Sequence, residues 1–415
     1  MVVLRSFRGI RPMPEYAAQV ASLPYDVLSS AEAAEIAKDN PYSFLHVGKA
    51  EIDLPPQTSL YSDEVYAKAQ ENLQKLIKQG VLRQDQKQSL YIYRQIMQGR
   101  AQYGIVGTFS VQEYAQNIIK KHEFTRQDKE DDRTRYTTTL MANTGPVFLT
   151  YRDQATINDF VAAYTQNHAP DYDFTKEDHI QHTFWALTEK ADLDFLVTQF
   201  AKIPNLYIAD GHHRNAAALR ASEYLHRTYQ TPQKGDQEYD YYLAVAFPAS
   251  HLKILDYNRV IISLKDLTPE AFLQKIENKF TVQTAPNADL PGPTHFAMYL
   301  AKQWWHLQAK PGTFNEEDPV GSLDVSILQN NLLAPILGIT DPRTDKNIDF
   351  VGGIRGVKEL ENRVNQKTAQ VAFKLYPTSI EQLLAVADAG RIMPPKSTWF
   401  EPKLRSGLII HRLDD

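Results

Sequence analysis

Asp210-Gly211-His212-His213-Arg214 sets a carboxylate, a glycine, two imidazoles and a guanidinium side by side. Asn205 to Ala209 before them reads as a buried strand. Asn215 to Tyr229 after them runs at helical period, with Ala218, Leu219, Ser222 and Leu225 on one face. Where a strand turns into a helix, the first backbone N–H groups of the helix are free to converge on an anion. Gly211 lets the backbone approach a ligand or take positive φ. Arg214 can grip phosphate or carboxylate oxygens with two parallel N–H groups. His212 or His213 can donate to a phosphate or move a proton near neutral pH. Asp210 can act as a general base or hold Mg²⁺. A capped helix start would explain the same residues blandly, but four polar groups at such a junction are costly unless they satisfy each other or meet a ligand.

Three further clusters could do chemistry. His122-Glu123-x-Thr125, followed by Lys129 and Asp132-Arg133, mixes both charges with a hydroxyl. On a strand His122 and Glu123 would face opposite ways, which argues against their sharing one metal. On a helix Lys129 and Arg133 would form one cationic edge. Pro24-Tyr25-Asp26-Val27 suits a turn, with Asp26 placed to cap a helix starting near Ser29 or Ser30. Asp349 to Gly356 sets three glycines around Arg355, a pattern for an anion-binding backbone nest. Neither a P-loop nor a dinucleotide fingerprint is present. There are twelve histidines but no His-Glu-x-x-His and no i, i+4 histidine pair. A structural zinc is therefore not expected, and Mg²⁺ accompanying a nucleotide suits the oxygen donors better.

The elements that must position these residues read as a mixed α/β or α+β chain. Asp63 to Lys78 is an amphipathic helix, with Val65, Ala69, Leu73, Leu76 and Ile77 as its stripe and Gly80 after its end. Leu90–Met97 and Tyr103–Val111 read as a hairpin around Gln98-Gly99-Arg100. Strands follow at Pro146–Tyr151, His182–Glu189 and Tyr242–Phe247, with a short helix carrying Leu193, Leu196, Val197 and Phe200. Beyond 266 the pattern predicts a helix at Pro269–Asn278, a hairpin joining Phe296–Leu300 to Trp304–Gln308, and a helix at Leu323–Leu337. Met393 to Lys403 holds three prolines and cannot be regular helix; it suits a loop laid over a site. Three regions result: 1–95, 96–265 carrying the Asp-Gly-His-His-Arg segment, and 266–415.

The 415 residues allow a large core. A 43% hydrophobic and 23% charged composition is ordinary for a globular protein. The net charge of −5 argues against duplex nucleic acid as the main partner. With no cysteine there is no disulfide, thiolate or Cys-ligated metal. No apolar core of a signal peptide and no membrane-length run is seen, so a cytoplasmic protein is expected.

Taken in order, Pro24-Tyr25-Asp26-Val27, His122-Glu123-x-Thr125, Asp132-Arg133, Asp210 to Arg214 and Met393-Pro394-Pro395-Lys396-Ser397-Thr398-x-Phe400-x-Pro402-Lys403 resemble the domain of unknown function 1015 family over nearly the whole chain. One departure is Asn258-Arg259, where many members have His-Arg. The resemblance implies a ParB/sulfiredoxin-like core with added α+β regions at both ends. It also implies that the Asp210–Arg214 segment is that superfamily's phosphate-binding box. A sulfiredoxin would need a cysteine there, and this chain has none. The expected activity is phosphoryl transfer to a small hydroxylated metabolite, with an ATP- or ADP-dependent free-serine kinase first. A phosphoserine phosphatase-like hydrolase and a non-catalytic nucleotide-binding regulator are the alternatives. Glu123, Asp210, His212 and His213 are the expected catalytic residues. Gly211, Arg214, Lys129, Arg133 and Lys396 are expected on phosphate, and Asp26, His122, Thr125 and Arg355 on substrate. The partners are a nucleotide with Mg²⁺ and a small molecule.

Overall fold

A computed structural model describes residues 1–415. The chain forms two compact units. The first comprises 1–121, 125–252 and 402–415; the second comprises 122–124 and 253–401. The boundary expected at 95/96 falls inside a strand of the first unit, and that expected at 265/266 lies beyond the change of unit after Leu252. Both units mix helices with sheet, as the sequence pattern required. No helix is long and apolar enough to cross a membrane.

The first unit is built on a nine-stranded mixed sheet. Its strands in chain order are β1 (Leu4–Arg5), β2 (Leu90–Met97), β3 (Arg100–Ser110), β4 (Ile119–Lys120), β5 (Val147–Tyr151), β6 (Tyr172–Thr175), β7 (Gln181–Leu187), β8 (Leu206–Asp210) and β9 (Tyr241–Pro248). They lie in the order β4-β8-β5-β9-β3-β2-β7-β6, and β1 pairs with β3. The pairs β4–β8 and β5–β9 are parallel and the others antiparallel. The β2–β3 hairpin closes on Gln98 and Gly99, both at positive φ (52° and 79°), the handedness that matches strand twist. Every residue of β5 is buried, and β8 is buried as far as Ala209, so both read as continuous apolar runs. The β8–β5 register shifts between Ile208 and Asp210, leaving Ala209 as an extra residue. Such a bulge re-aims the side chain that follows it, here Asp210.

Three helices of this unit bear on the site: α1 (Asp63–Lys78), α2 (Gln127–Leu140) and α3 (His212–Tyr229). The bounds of α1 are those its apolar stripe predicts. The α2 helix was not read from the charged segment because its buried face offers only Asp132, Tyr136 and Leu140, too few apolar residues for a periodic stripe. It packs between α1 and α3, and Arg220 of α3 pairs with Glu130 and Asp131 of α2. Asp26 is exposed and caps nothing; Ser29 caps the helix Ser30–Ala37 through a reciprocal pair of bonds with Glu32.

The last fourteen residues belong to the first unit. Ser406 exchanges both backbone bonds with Ser22, at 2.9 and 3.1 Å, and Ile410 does so with Ile10, at 2.9 Å each way. His411 and Arg412 pair with Asn143 and Ala142. Gly407 sits at φ 88° with Phe44 so close that a Cβ would fall 2.6 Å from its ring.

The second unit holds a six-stranded antiparallel sheet. Its strands are β10 (Tyr257–Ile261), β11 (Phe280–Ala285), β12 (His295–Leu300), β13 (Gln303–Ala309), β14 (Ile348–Gly352) and β15 (Val371–Leu375), in the order β11-β13-β12-β15-β10-β14. The predicted 323–337 helix appears as Asp324–Leu328 and Ala334–Leu337 with a wider π turn over Gln329–Leu333 between them. Pro335 lacks the N–H a regular turn would need. The proline-rich tail is no helix: Trp399–Glu401 pairs antiparallel with Lys253–Leu255, and Met393 N–H donates to the carbonyl of His122 at 2.8 Å.

Replacing Gly407 with Ala combines left-handed strain with overpacking against Phe44. The G407A variant is expected to lose about 2–4 kcal/mol in urea-induced unfolding.

Candidate functional site

The junction predicted from sequence is a bulged strand end feeding a helix. Gly211 takes φ 92° and ψ 31°, and α3 begins at His212 with no side-chain cap and no acid in its first turn. The partial positive charge at that helix start is thus unmatched from within the helix. The positive φ favours glycine here, and a Cβ at position 211 would crowd the Arg214 guanidinium at 3.2–3.4 Å.

Asp210 is held on both oxygens. Oδ1 accepts the Gly211 N–H at 2.8 Å, and Oδ2 accepts from Lys403 Nζ at 2.9 Å. Burial alone would raise its pKa, but Lys403, Arg214 and His212 together hold the carboxyl well below the usual carboxylate range. A carboxylate so easily kept ionised is a weak proton acceptor, and its oxygens are already engaged. His213 Nε2 accepts the backbone N–H of Arg126 at 3.1 Å, which puts the proton of its neutral ring on Nδ1. His212 is buried at 5% exposure.

Arg214 is the least satisfied charge of the group. Its Nη1 donates to the carbonyl of Pro146, no carboxylate pairs with it, and its Nε is buried without a hydrogen-bond partner. It lines a partly open cavity of about 50 Å³, against the ~10–15 Å³ that one water needs. The cavity also meets Tyr25, Arg133, Tyr136, Thr144, Tyr242 and Ser406.

Arg133 is fixed flat. Its guanidinium lies 4.0 Å from the ring centre of Tyr25 and 4.5 Å from that of Tyr136. Its Nε donates to Asp132 Oδ2 at 2.8 Å, and Tyr66 donates to the other oxygen of Asp132, also at 2.8 Å. Both Nη atoms make no bond within the protein. Tyr25 is itself pushed up in pKa, by burial first and by Asp26 next, so it stays a neutral phenol. Below the cavity Asn215 donates from Nδ2 to the Tyr242 hydroxyl at 3.1 Å. Asp132 pairs with Arg133 and Lys403 with Asp210, while Arg214 sits among hydroxyls with no carboxylate in direct contact, though the field of Asp210 reaches it.

Arg133 and Arg214 line the same cavity. Lys129 does not join them. It shares α2 with Arg133, but its Nζ binds the Tyr61 hydroxyl at 2.8 Å and it does not line the cavity, so the expected cationic edge is split. Thr125 donates to Glu130 rather than standing free. Asp26 is exposed, one residue after cavity-lining Tyr25. His122, Glu123, Lys396 and Arg355 belong to the second unit. There His122 is 1% exposed, Glu123 is half-buried, and Lys396 has its Nζ 5.6 Å from the Tyr257 ring centre. Arg355 is exposed, and of the three glycines around it only Gly356 takes positive φ, at 70°. Gly352 and Gly353 lack positive φ and are small because Trp399 and Asp256 press on them, each where a Cβ would otherwise sit. Asn258 receives the Leu375 N–H at 3.1 Å and donates to Asp256 at 2.7 Å.

Sequence reasoning missed Lys403, Thr144, Ser406 and Tyr242. Lys403 stood inside the tail motif already singled out, yet only the fold brings it to a residue 193 positions earlier.

A family model described as "Protein of unknown function (DUF1015)" matches residues 4–326. The chain belongs to this family. A search of curated proteins found no match. Among solved structures, the chain is similar to a conserved hypothetical protein from Pyrococcus furiosus at 13% identity and TM-score 0.36, covering 72% of this chain and 93% of that one. A mutant free serine kinase in complex with ADP is similar at 12% identity and TM-score 0.37, covering 72% and 92%. SbnI from Staphylococcus aureus, with a C-terminal truncation, is similar at 11% and 0.34, covering 72% and 85%. Likenesses this distant carry no argument about activity.

Asp210 stays ionised to lower pH in the folded protein than in the unfolded chain, where a carboxyl titrates near ~3.9. Its contribution is therefore full above that value and is lost as pH falls through the folded one. The D210N variant is expected to be less stable by about 2 kcal/mol at pH 7. The gap to the wild type should narrow in urea melts at pH 3.

Proposed function

We propose that this DUF1015 protein is a phosphotransferase. It binds a nucleotide, ATP or ADP, and moves a phosphoryl group to or from a small hydroxylated metabolite. The observation that carries the reading is the buried, unpartnered Nε of Arg214, on a guanidinium that no carboxylate pairs with and that opens on a cavity shared with Arg133. A guanidinium N–H taken out of water with no acceptor is costly unless a ligand supplies one. The neighbouring groups, hydroxyls and a helix start without an acid, favour an anion as well.

In this reading Arg214 and the start of α3 hold phosphate oxygens, and the flat Arg133 offers its two Nη atoms to a second anionic group, phosphate or carboxylate. Phosphoryl transfer depends mainly on positioning and on neutralising charge, which these groups supply. Asp210 acts as the support of the turn rather than as the base. His213, with its Nδ1 proton, and His212 are donors to the transferring group. The donor set does not fit a protein-held Mg²⁺: no group of three or more His, Asp or Glu side chains is set to hold a metal ion, and both Asp210 oxygens are taken. Any Mg²⁺ would arrive on the nucleotide.

Serine is the first acceptor to test, following the family resemblance. Purified protein incubated with serine, Mg²⁺ and ATP or ADP should form phosphoserine, followed by mass spectrometry. Arg214→Ala should reduce the rate at least a hundredfold, about 2.7 kcal/mol of transition-state stabilisation. Its melting temperature should hardly change. No turnover with either nucleotide overturns the kinase reading. Phosphate release from phosphoserine without nucleotide would assign the site to hydrolysis instead.

A further inference from the structure

The tail motif of the sequence ends at Pro402-Lys403, and the proposed phosphoryl transfer uses neither residue. The family match stops at residue 326, yet the chain re-enters the first unit at Pro402 and stays there to its last residue. Its second residue after re-entry is Lys403, 11% exposed, with its ammonium on Asp210.

The backbone around Lys403 is fixed at several points. Its carbonyl accepts from Gln95 Nε2 at 2.9 Å, and Gln95 Oε1 in turn accepts from Gln102 Nε2 at 2.9 Å. Gln95 and Gln102 face each other across the β2–β3 hairpin and are 0% and 2% exposed. Two amides buried in a sheet are expensive unless satisfied, and here their bonds end on one carbonyl. Two residues on, Arg405 is 3% exposed and binds His182 and Asp178. Ser406 is locked to Ser22 and lines the Arg214 cavity. A lysine on a free loop would sweep a wide volume; this one has its main chain held before its side chain begins.

Asp210 faces three cationic or titratable groups, Lys403, Arg214 and His212. Its other oxygen takes the Gly211 N–H. Lys403, Asp210 and Gly211 thus form one line of bonds ending at the turn that launches α3.

We propose that Lys403 is a positioning residue of the anion site, holding Asp210 so that the Gly211 turn and Arg214 keep the geometry that receives a phosphate-bearing ligand. This rests on the reading of the site as phosphate-binding. Lys403 acts through Asp210, and the C-terminal segment is part of the site rather than an appendage.

Positioning differs from a simple charge effect in its sign at Asp210. If Lys403 only added positive charge, removing the Asp210 carboxylate would tighten anion binding. If Lys403 positions through Asp210, removing either partner weakens binding, and removing both costs little more than removing one. The probe is inorganic pyrophosphate, titrated calorimetrically into the full chain at fixed salt. The wild type should bind. K403M and D210N should each weaken binding about tenfold, a loss on the scale of one charge-assisted hydrogen bond. The double variant should match the weaker single one, and K403R should recover part of the affinity. Gln95→Met keeps both charges and frees the Lys403 carbonyl together with the Gln102 amide; it should weaken binding by a smaller factor, and it carries the test if the charge variants do not fold. Tighter binding by D210N, additive losses, or Gln95→Met binding as wild type while the charge variants stay unfolded would each overturn the proposal and leave the phosphate reading standing. A wild type that binds neither pyrophosphate nor nucleotide would overturn both.

Discussion

The pair between Asp210 and Lys403 ties the end of β8 to the last stretch of the chain, and the site is arranged around it. The bulge at Ala209 turns Asp210 out of the strand's alternation. Once turned, the carboxylate reaches the N–H of the glycine behind it and the ammonium in front. Without that double hold, a left-handed glycine would be one of several conformations open to the turn, since glycine pays the largest entropy to be fixed. With it, the helix start and Arg214 have one placement. The same pair settles the charge balance. Asp210 is shared between Lys403, which binds it directly, and Arg214, which feels its field without pairing with it.

Much of the frame was legible because periodicity and burial agree there. The α1 stripe, the β2–β3 hairpin, and the strand and helix around Asp210 to Arg214 all follow from apolar spacing and from the turn residues between them. The α2 helix did not show, because its inward face uses an aspartate and a tyrosine joined to other side chains and backbone by hydrogen bonds; hydrophobic period cannot detect a polar core. Asp26 was misread for a similar reason: two serines and a glutamate come after it, and the reciprocal capping pair chose Ser29.

The site itself was half legible. Local grammar identifies a strand, a glycine and a helix start, and these residues lie together because they are consecutive. Arg133 and Lys403 come from distant positions, and no local rule links either to Arg214. The glycines near Arg355 mark the opposite limit. A glycine-rich run looks the same whether it binds an anion or yields room to Trp399 and Asp256, and only the neighbours separate the two cases.

The contrast between the two arginines bears on what the cavity accepts. Arg133 is sandwiched between rings and offset by Asp132, so it has little freedom and little net charge to offer, but it keeps a flat edge of donors. Arg214 has the reverse character, a charge with no carboxylate paired to it and a buried donor left open. A neutral ligand would satisfy the first and leave the cost of the second in place. A tetrahedral anion satisfies both, because its several oxygens can meet a planar pair of donors on one side and a localised charge on another. The neighbouring hydroxyls of Thr144 and Ser406 can turn their protons toward it. Two guanidiniums would repel each other in a low-dielectric cleft if neither were offset. Offsetting Arg133 lowers that repulsion and leaves Arg214 attractive to an anion, the asymmetry on which the proposed phosphate site relies.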